Sequence, residues 1–114
     1  MRTLMKVTVP VEHGNAGIRD GRLPRTIEGM LDQLKPEAAY FYAEHGQRAA
    51  LMVFDLQDPS QIPTIAEPLF QELNAAVEFS PVMVADELRR GLIALAESEG
   101  AGRIAAPPIS PATV

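Results

Sequence analysis

Apolar and polar positions alternate from the start of the chain. Residues 2–9 (Arg-Thr-Leu-Met-Lys-Val-Thr-Val) are rich in β-branched residues and are closed by Pro10, a pattern that predicts a first strand. Residues 11–22 carry Gly14, Gly17 and Gly21 with no apolar period, which predicts a loop of about a dozen residues. Leu23, Ile27, Met30, Leu31 and Leu34 then recur at helical spacing, with Pro24 suited to a first turn and Lys35-Pro36 ending the run. Residues 37–44 and 47–55 read as two extended segments joined by His45-Gly46, where glycine accepts the positive φ of a tight hairpin turn. Asp58-Pro59-Ser60-Gln61 supplies an N-cap acceptor, a first-turn proline and an N3 glutamine. It leads into a stripe of Ile62, Ile65, Ala66, Leu69, Phe70 and Leu73. Pro63 and Pro68 each remove a backbone donor, so this second helix is expected to kink or to begin as a separate turn. Residues 75–82 predict a fourth strand ended near Pro81, and residues 84–97 a third helix with Leu88, Leu92 and Leu95 on one side. Residues 98–114, with two glycines and three prolines, read as a tail or arm.

The expected order is β-α-β-β-α-β plus a C-terminal helix: an α+β, ferredoxin-like fold with strands in the order 4-1-3-2 and every neighbour antiparallel. With His45 and Gly46 as the turn, Tyr42 should oppose Ala49, Phe41 oppose Ala50 and Tyr40 oppose Leu51. Alternation then gathers Met5, Val7, Val9, Ala39, Phe41, Ala43, Ala50, Met52, Phe54, Val77 and Phe79 on a face suited to lie under the helices. The opposite face mixes Leu4, Tyr40, Leu51 and Val53 with Lys6, Thr8, Tyr42, Glu44, Asp55, Glu78 and Ser80. Such a half-apolar face needs cover on a protein in water, either from a second copy packed sheet to sheet or from the third helix and the tail.

Composition narrows the classes. At 114 residues, with 46% apolar and 22% charged positions, one core is expected, and the absence of cysteine excludes a disulfide framework or thiolate chemistry. No run approaches the length of a membrane span and no secretory leader is visible at Met1–Lys6, so a cytoplasmic location is expected, with no membrane partner. A net charge of −5 argues against nucleic acid as a partner. The charge is uneven: residues 1–25 hold five basic and two acidic residues (+3), the remainder five and thirteen (−8). An anion site therefore belongs near the first quarter of the chain.

The candidate chemistry divides between the mixed face and the glycine-rich segment. Lys6 and Glu78 fall on adjacent strands and one face, able to act as base or electrostatic anchor, or to serve as a structural ion pair. Tyr40, Tyr42 and Thr8 share that face and could bind an aromatic ligand; tyrosine is equally common at subunit interfaces. His13 follows the first strand and could serve as a general base in a loop, or be simply solvated. Arg19 and Arg22, with Arg25, flank the first predicted helix, where free amides and the positive dipole end favour anions; the alternative is surface charge balance. His13 and His45 lie on separate segments, so no metal site is expected, and no cofactor.

Lys-Pro-Glu-Ala-Ala-Tyr-Phe at 35–41, Phe-Asp-Leu-Gln-Asp-Pro-Ser-Gln-Ile-Pro at 54–63 and Ala-Glu-Pro-Leu-Phe at 66–70, in this order of elements, resemble small bacterial members of the dimeric α/β barrel superfamily over about residues 1–90. The resemblance implies a homodimeric α/β barrel with its domain over 1–97. That superfamily includes cofactor-independent monooxygenases, muconolactone isomerase-like enzymes, stress-responsive barrels and haem-binding relatives. The expectation is a small-molecule-binding barrel, as a cofactor-independent oxygenase or isomerase acting on a small organic acid or aromatic. The alternatives are a non-catalytic binding or sensing module and a structural interaction protein.

Overall fold

The computed structural model describes residues 1–102, and the chain divides into a compact unit over Met1–Val82 and a second one from Met83 onward. The first unit contains β1 (Arg2–Val9), α1 (Val11–Asp20), α2 (Arg22–Leu34), β2 (Ala38–Glu44), β3 (Gln47–Asp55), α3 (Gln61–Leu73) and β4 (Ala76–Pro81); the second contains α4 (Ala85–Gly102). The strands form one antiparallel sheet in the order β2-β3-β1-β4, which counted from the other edge is 4-1-3-2, as the sequence predicts.

The hairpin register is the expected one, with Tyr42 opposite Ala49, Phe41 opposite Ala50 and Tyr40 opposite Leu51. His45 at φ 51 and Gly46 at φ 77 both occupy the left-handed region, the mark of the type I′ turn whose twist matches that of the flanking strands. β1 alternates between half-buried and buried along its whole length. Its odd positions Met5, Val7 and Val9 meet Ala50, Met52 and Phe54 of β3, and α2 and α3 close this layer with Met30, Ile65, Leu69 and Leu73. Burying each of the large aliphatic side chains contributes about 1.5–3 kcal/mol before conformational entropy is set against it.

α3 begins at Gln61, later than an N-cap at Asp58 would place it, and its N-cap residue Ser60 makes no side-chain cap bond. Asp58 Oδ2 accepts from the Ser60 N–H at 2.9 Å, and Gln61 Oε1 accepts in return from the Asp58 N–H at 3.2 Å. These two bonds build a separate turn ahead of the helix, one of the two outcomes expected from its prolines. Pro68 lies inside α3, where it leaves the Thr64 carbonyl without its usual donor. A left-handed Asn74 then ends the helix.

Three sequence expectations require correction. Residues 11–20 are not a loop but the helix α1, so the chain places two helices between its first two strands instead of one. The inward side of α1 is made of Gly14 and Gly17, both buried, while its apolar residues Val11 and Ile18 are exposed. A Cβ on Gly17 would stand 3.1 Å from the Cβ of Leu23. The helix thus packs through bare backbone, and no apolar period exists to announce it. Gly21, at φ 83, turns the chain from α1 into α2. Second, Phe41 and Ala43 lie on the helix side of the sheet as parity requires but are not core: β2 is an edge strand, and Phe41 remains 56% exposed. Third, residues 98–102, assigned by composition to the tail, continue α4, and residues 103–114 of that tail lie outside the described residues.

Within the second unit, Glu87 accepts from the Val84 N–H at 2.9 Å at the start of α4, and Asp86 pairs with Arg89 one turn on. Leu88, Leu92 and Leu95 share one side of this helix and are all exposed. Among the described residues no helix is long and apolar enough to cross a membrane.

Two of the phenylalanines on the helix side, Phe54 and Phe41, separate core from edge. Phe54→Ala should cost about 3–5 kcal/mol, as expected of a fully buried ring, whereas Phe41→Ala should cost under about 1 kcal/mol. Urea unfolding of the two variants measures both.

Candidate functional site

The sheet has two faces of different chemistry, and each holds a candidate. On the face away from α1, α2 and α3, β1 contributes Lys6, β2 contributes Tyr42 and Glu44, and β4 contributes Glu78. Lys6 Nζ meets Glu44 Oε2 at 2.5 Å, with both side chains about a quarter to a third exposed, and Tyr42 donates its hydroxyl to Glu44 Oε1 at 3.1 Å. Glu78 lies 3.9 Å from the same ammonium but is 75% exposed. Lys6 is thus paired first with Glu44, which the sequence placed on this face without assigning it a role, and only second with the expected Glu78. Ala49 stands between Tyr42 and Thr8 in the strand pairing, and its small side chain leaves room for long groups to meet across β3.

The cluster's electrostatics follow from these contacts. The hydrogen bond to Glu44 holds the Lys6 ammonium above its ordinary 10.5, against the opposing effect of partial desolvation. The same bond holds the Glu44 carboxyl below its ordinary value. Desolvation pushes the Tyr42 phenol up, and its bond to the Glu44 carboxylate adds to the effect. Lys6 therefore stays cationic across the neutral range and acts as an anchor for negative charge, one of the two roles its placement suggested. Thr8 and Tyr40 share this face, with Tyr40 65% exposed. Leu4, Phe79 and Ser80 flank Lys6 and Glu78 in a shallow depression.

The other candidate lies on the helix side. Where α2 leaves the edge of the sheet uncovered, a cleft of about 220 Å³ opens, with Leu23 and Ile27 of α2 on one wall and Val7, Val9, Ala49 and Ala50 on the other. Phe41 and Tyr42 close its β2 edge, and Arg48 is the charged residue in the lining. The Arg48 Nη2 donates to Asn15 Oδ1 of α1 at 3.1 Å. Sequence reasoning did not single out this cleft or Arg48. The available signal was the exposed Phe41 on a face otherwise reserved for the core, combined with a helix whose inward residues are glycine.

The remaining sequence candidates fall elsewhere. His13 is exposed on α1, on the helix side and so across the sheet from Lys6; with Glu12 and Ala16 it lines an open depression. Arg19 is exposed in the last turn of α1. Arg22 is already engaged: its Nε meets Asp20 Oδ2 at 2.7 Å and its Nη1 donates to the Glu72 carbonyl at 2.9 Å, tying the α1–α2 junction to the end of α3. The Arg22 backbone N–H donates to Asp20 Oδ1 at 2.9 Å. The start of α2, read from sequence as open to a ligand anion, thus meets a built-in carboxylate, which that backbone bond holds below its ordinary pKa. Among the described residues no group of three or more His, Cys, Asp or Glu side chains is arranged to hold a metal ion.

The cluster has a titration signature. In Tyr40→Phe, Tyr42 is the remaining phenol, and ultraviolet difference absorbance should show it ionising above 10.0. Adding Glu44→Gln should bring that midpoint part of the way down, because desolvation remains. Adding Lys6→Met instead should raise it, because the neighbouring cation favours phenolate. The ion pair's contribution to stability is present from the ordinary carboxyl value of 4.5 to the ordinary lysine value of 10.5. It is lost on acidification through the lowered Glu44 value, and on alkalinisation through the raised Lys6 value.

No family model matches the chain, and no curated protein matches it. Among solved structures, a formyltetrahydrofolate deformylase from Pseudomonas putida KT2440 is similar at a TM-score of 0.47 and 13% identity. The match covers 91% of this chain and 39% of that one, so this chain spans well under half the length of that enzyme.

Proposed function

We propose that the protein is a small-molecule-binding module of ferredoxin-like architecture, working as a homodimer, in which each copy binds its ligand in the cleft beneath α2. The observation that carries this reading is the cleft itself. The cleft is a groove of about 220 Å³, open to solvent between α2 and the edge of the sheet, with apolar walls and one cation in the lining. Apolar walls with a few polar groups are the usual composition of a site for an organic ligand. The volume is below the roughly 300–1,000 Å³ of sites for drug-sized compounds, which suits a single ring or a short branched chain.

The homodimer reading rests on the opposite face. Within the Met1–Val82 unit, α1, α2 and α3 lie on the core side, and Leu4, Leu51 and Val53 are half-buried on the other side beside the exposed Tyr40. A second copy packed sheet to sheet removes this patch from water by the two-fold arrangement commonest among oligomers. It also brings two Lys6–Glu44–Tyr42 clusters toward each other, with Lys6 as a fixed positive anchor.

Benzyl alcohol is a neutral aromatic probe of the cleft. In NMR titrations it should shift the methyl resonances of Leu23 and Ile27 and the ring resonances of Phe41. Ile27→Phe, which fills the cleft from α2, should weaken binding about tenfold or more while the rest of the spectrum is retained. Shifts scattered over the surface, or unchanged affinity in Ile27→Phe, would exclude this site. For the dimer, sedimentation equilibrium should show two copies in the native protein. Leu51→Arg, which places a charge in the middle of the open face, should raise the dissociation constant at least about thirtyfold; a monomeric native protein would refute the homodimer.

A further inference from the structure

Arg48, the one charged residue lining the cleft, is exposed at its rim and held from two sides. Arg48 pairs with Val9 and Ala43 in the sheet, so its side chain shares the helix side with Ala50. Asn15 accepts one of its N–H groups at 3.1 Å, and its flank lies against Gly14. A Cβ on that glycine would stand 2.5 Å from Arg48 Nη1 and 3.3 Å from both Cδ and Cζ. The empty position on α1 is thus the seat of the guanidinium. Arg2, Lys6, Arg22 and Arg89 are matched to carboxylates, those of Glu37, Glu44, Asp20 and Asp86, whereas the exposed Arg19, Arg25, Lys35 and Arg90, which do not line the cleft, are not so matched among the described residues. Among the described residues, Arg48 has no such partner. A guanidinium carries five N–H donors in a planar fork, and Arg48 spends one of them on a neutral amide oxygen.

We propose, building on the cleft as the binding site, that its occupant is a small apolar carboxylic acid whose carboxylate is received by Arg48. The body of the acid, one ring or a short branched chain, lies between Leu23, Ile27 and Phe41. The planar fork matches a carboxylate through two parallel N–H···O bonds. A phosphate ester is the poorer match, because a dianion calls for further cations and the rest of the lining is uncharged. The rest of the lining carries no charge, so a preference for an acid over its neutral isostere reports on this guanidinium.

Phenylacetate and its neutral isostere phenylacetamide test the assignment, by NMR or calorimetric titration of the full chain. Phenylacetate should bind about tenfold more tightly than phenylacetamide. Arg48→Gln should abolish that preference, cutting phenylacetate affinity about tenfold. Gly14→Ala provides a second variant, because its methyl displaces the flexible end of Arg48 without removing the charge. It should cut phenylacetate affinity several-fold and narrow the preference over phenylacetamide. Equal affinity of the two probes for the native protein, with benzyl alcohol still bound, would overturn the carboxylate assignment and leave the cleft standing. If neither probe nor benzyl alcohol binds at millimolar concentration, the cleft reading falls and this inference with it. A preference for phenylacetate that survives Arg48→Gln would place the acid's counter-charge elsewhere and refute the role given to Arg48.

Discussion

The pairing of β1 with β3 is the constraint on which the rest of the structure depends. Its register sets Met5 beside Met52, Val7 beside Ala50 and Lys6 beside Leu51. Side chains alternate with a period of two, so a slip of one residue would send Lys6 into the core and Met5 into water. The cost of burying an unpaired ammonium makes that alternative untenable. With this pair fixed, the hairpin turn sets β2 on one side and β4 closes the other, and the two faces acquire opposite characters. One is covered by α1, α2 and α3. The other gathers the Lys6–Glu44–Tyr42 cluster among half-buried aliphatic side chains.

The cleft follows from the way the helix layer meets this sheet. α1 approaches through the bare backbone of Gly14 and Gly17, close enough that a methyl group at either position would crowd its neighbours. Two glycines in a short helix cost roughly 0.5–1 kcal/mol each relative to alanine, a penalty offset by the contact they permit. α2 carries longer side chains and leaves the edge strand uncovered. The space between Ile27 and Phe41 is therefore not a packing fault at a random place. It lies beside the one helix close enough to seat Arg48, so the same glycine that allows the approach of α1 also positions the cation. Tyr42 joins the two faces, lining the cleft at the sheet edge while its hydroxyl is bound to Glu44 on the opposite side.

Four strands, the hairpin with its register, the helix from Leu23 and the Asp58–Gln61 turn ahead of α3 were all legible in the sequence, because each rests on interactions between near neighbours or on strict alternation. Lys6, Glu78, Tyr40, Tyr42 and Thr8 were correctly gathered on one face for the same reason. The pairing of Lys6 with Glu44 was not legible. Parity assigns a side chain to a face but does not say how far it reaches across an intervening strand, and that reach depends on Ala49 being small.

What the sequence determined by itself is the sheet: its strand order, its register and the division of its faces, since alternation and a two-residue turn leave no other pairing that hides the apolar positions. The tertiary structure alone decided that residues 11–20 form a helix and that a cleft lies beneath α2. A helix that buries glycines shows no apolar period, and a cleft is a shortage of atoms between elements distant along the chain. Both depend on how closely backbones can approach, which no pattern of side chains along a single segment records.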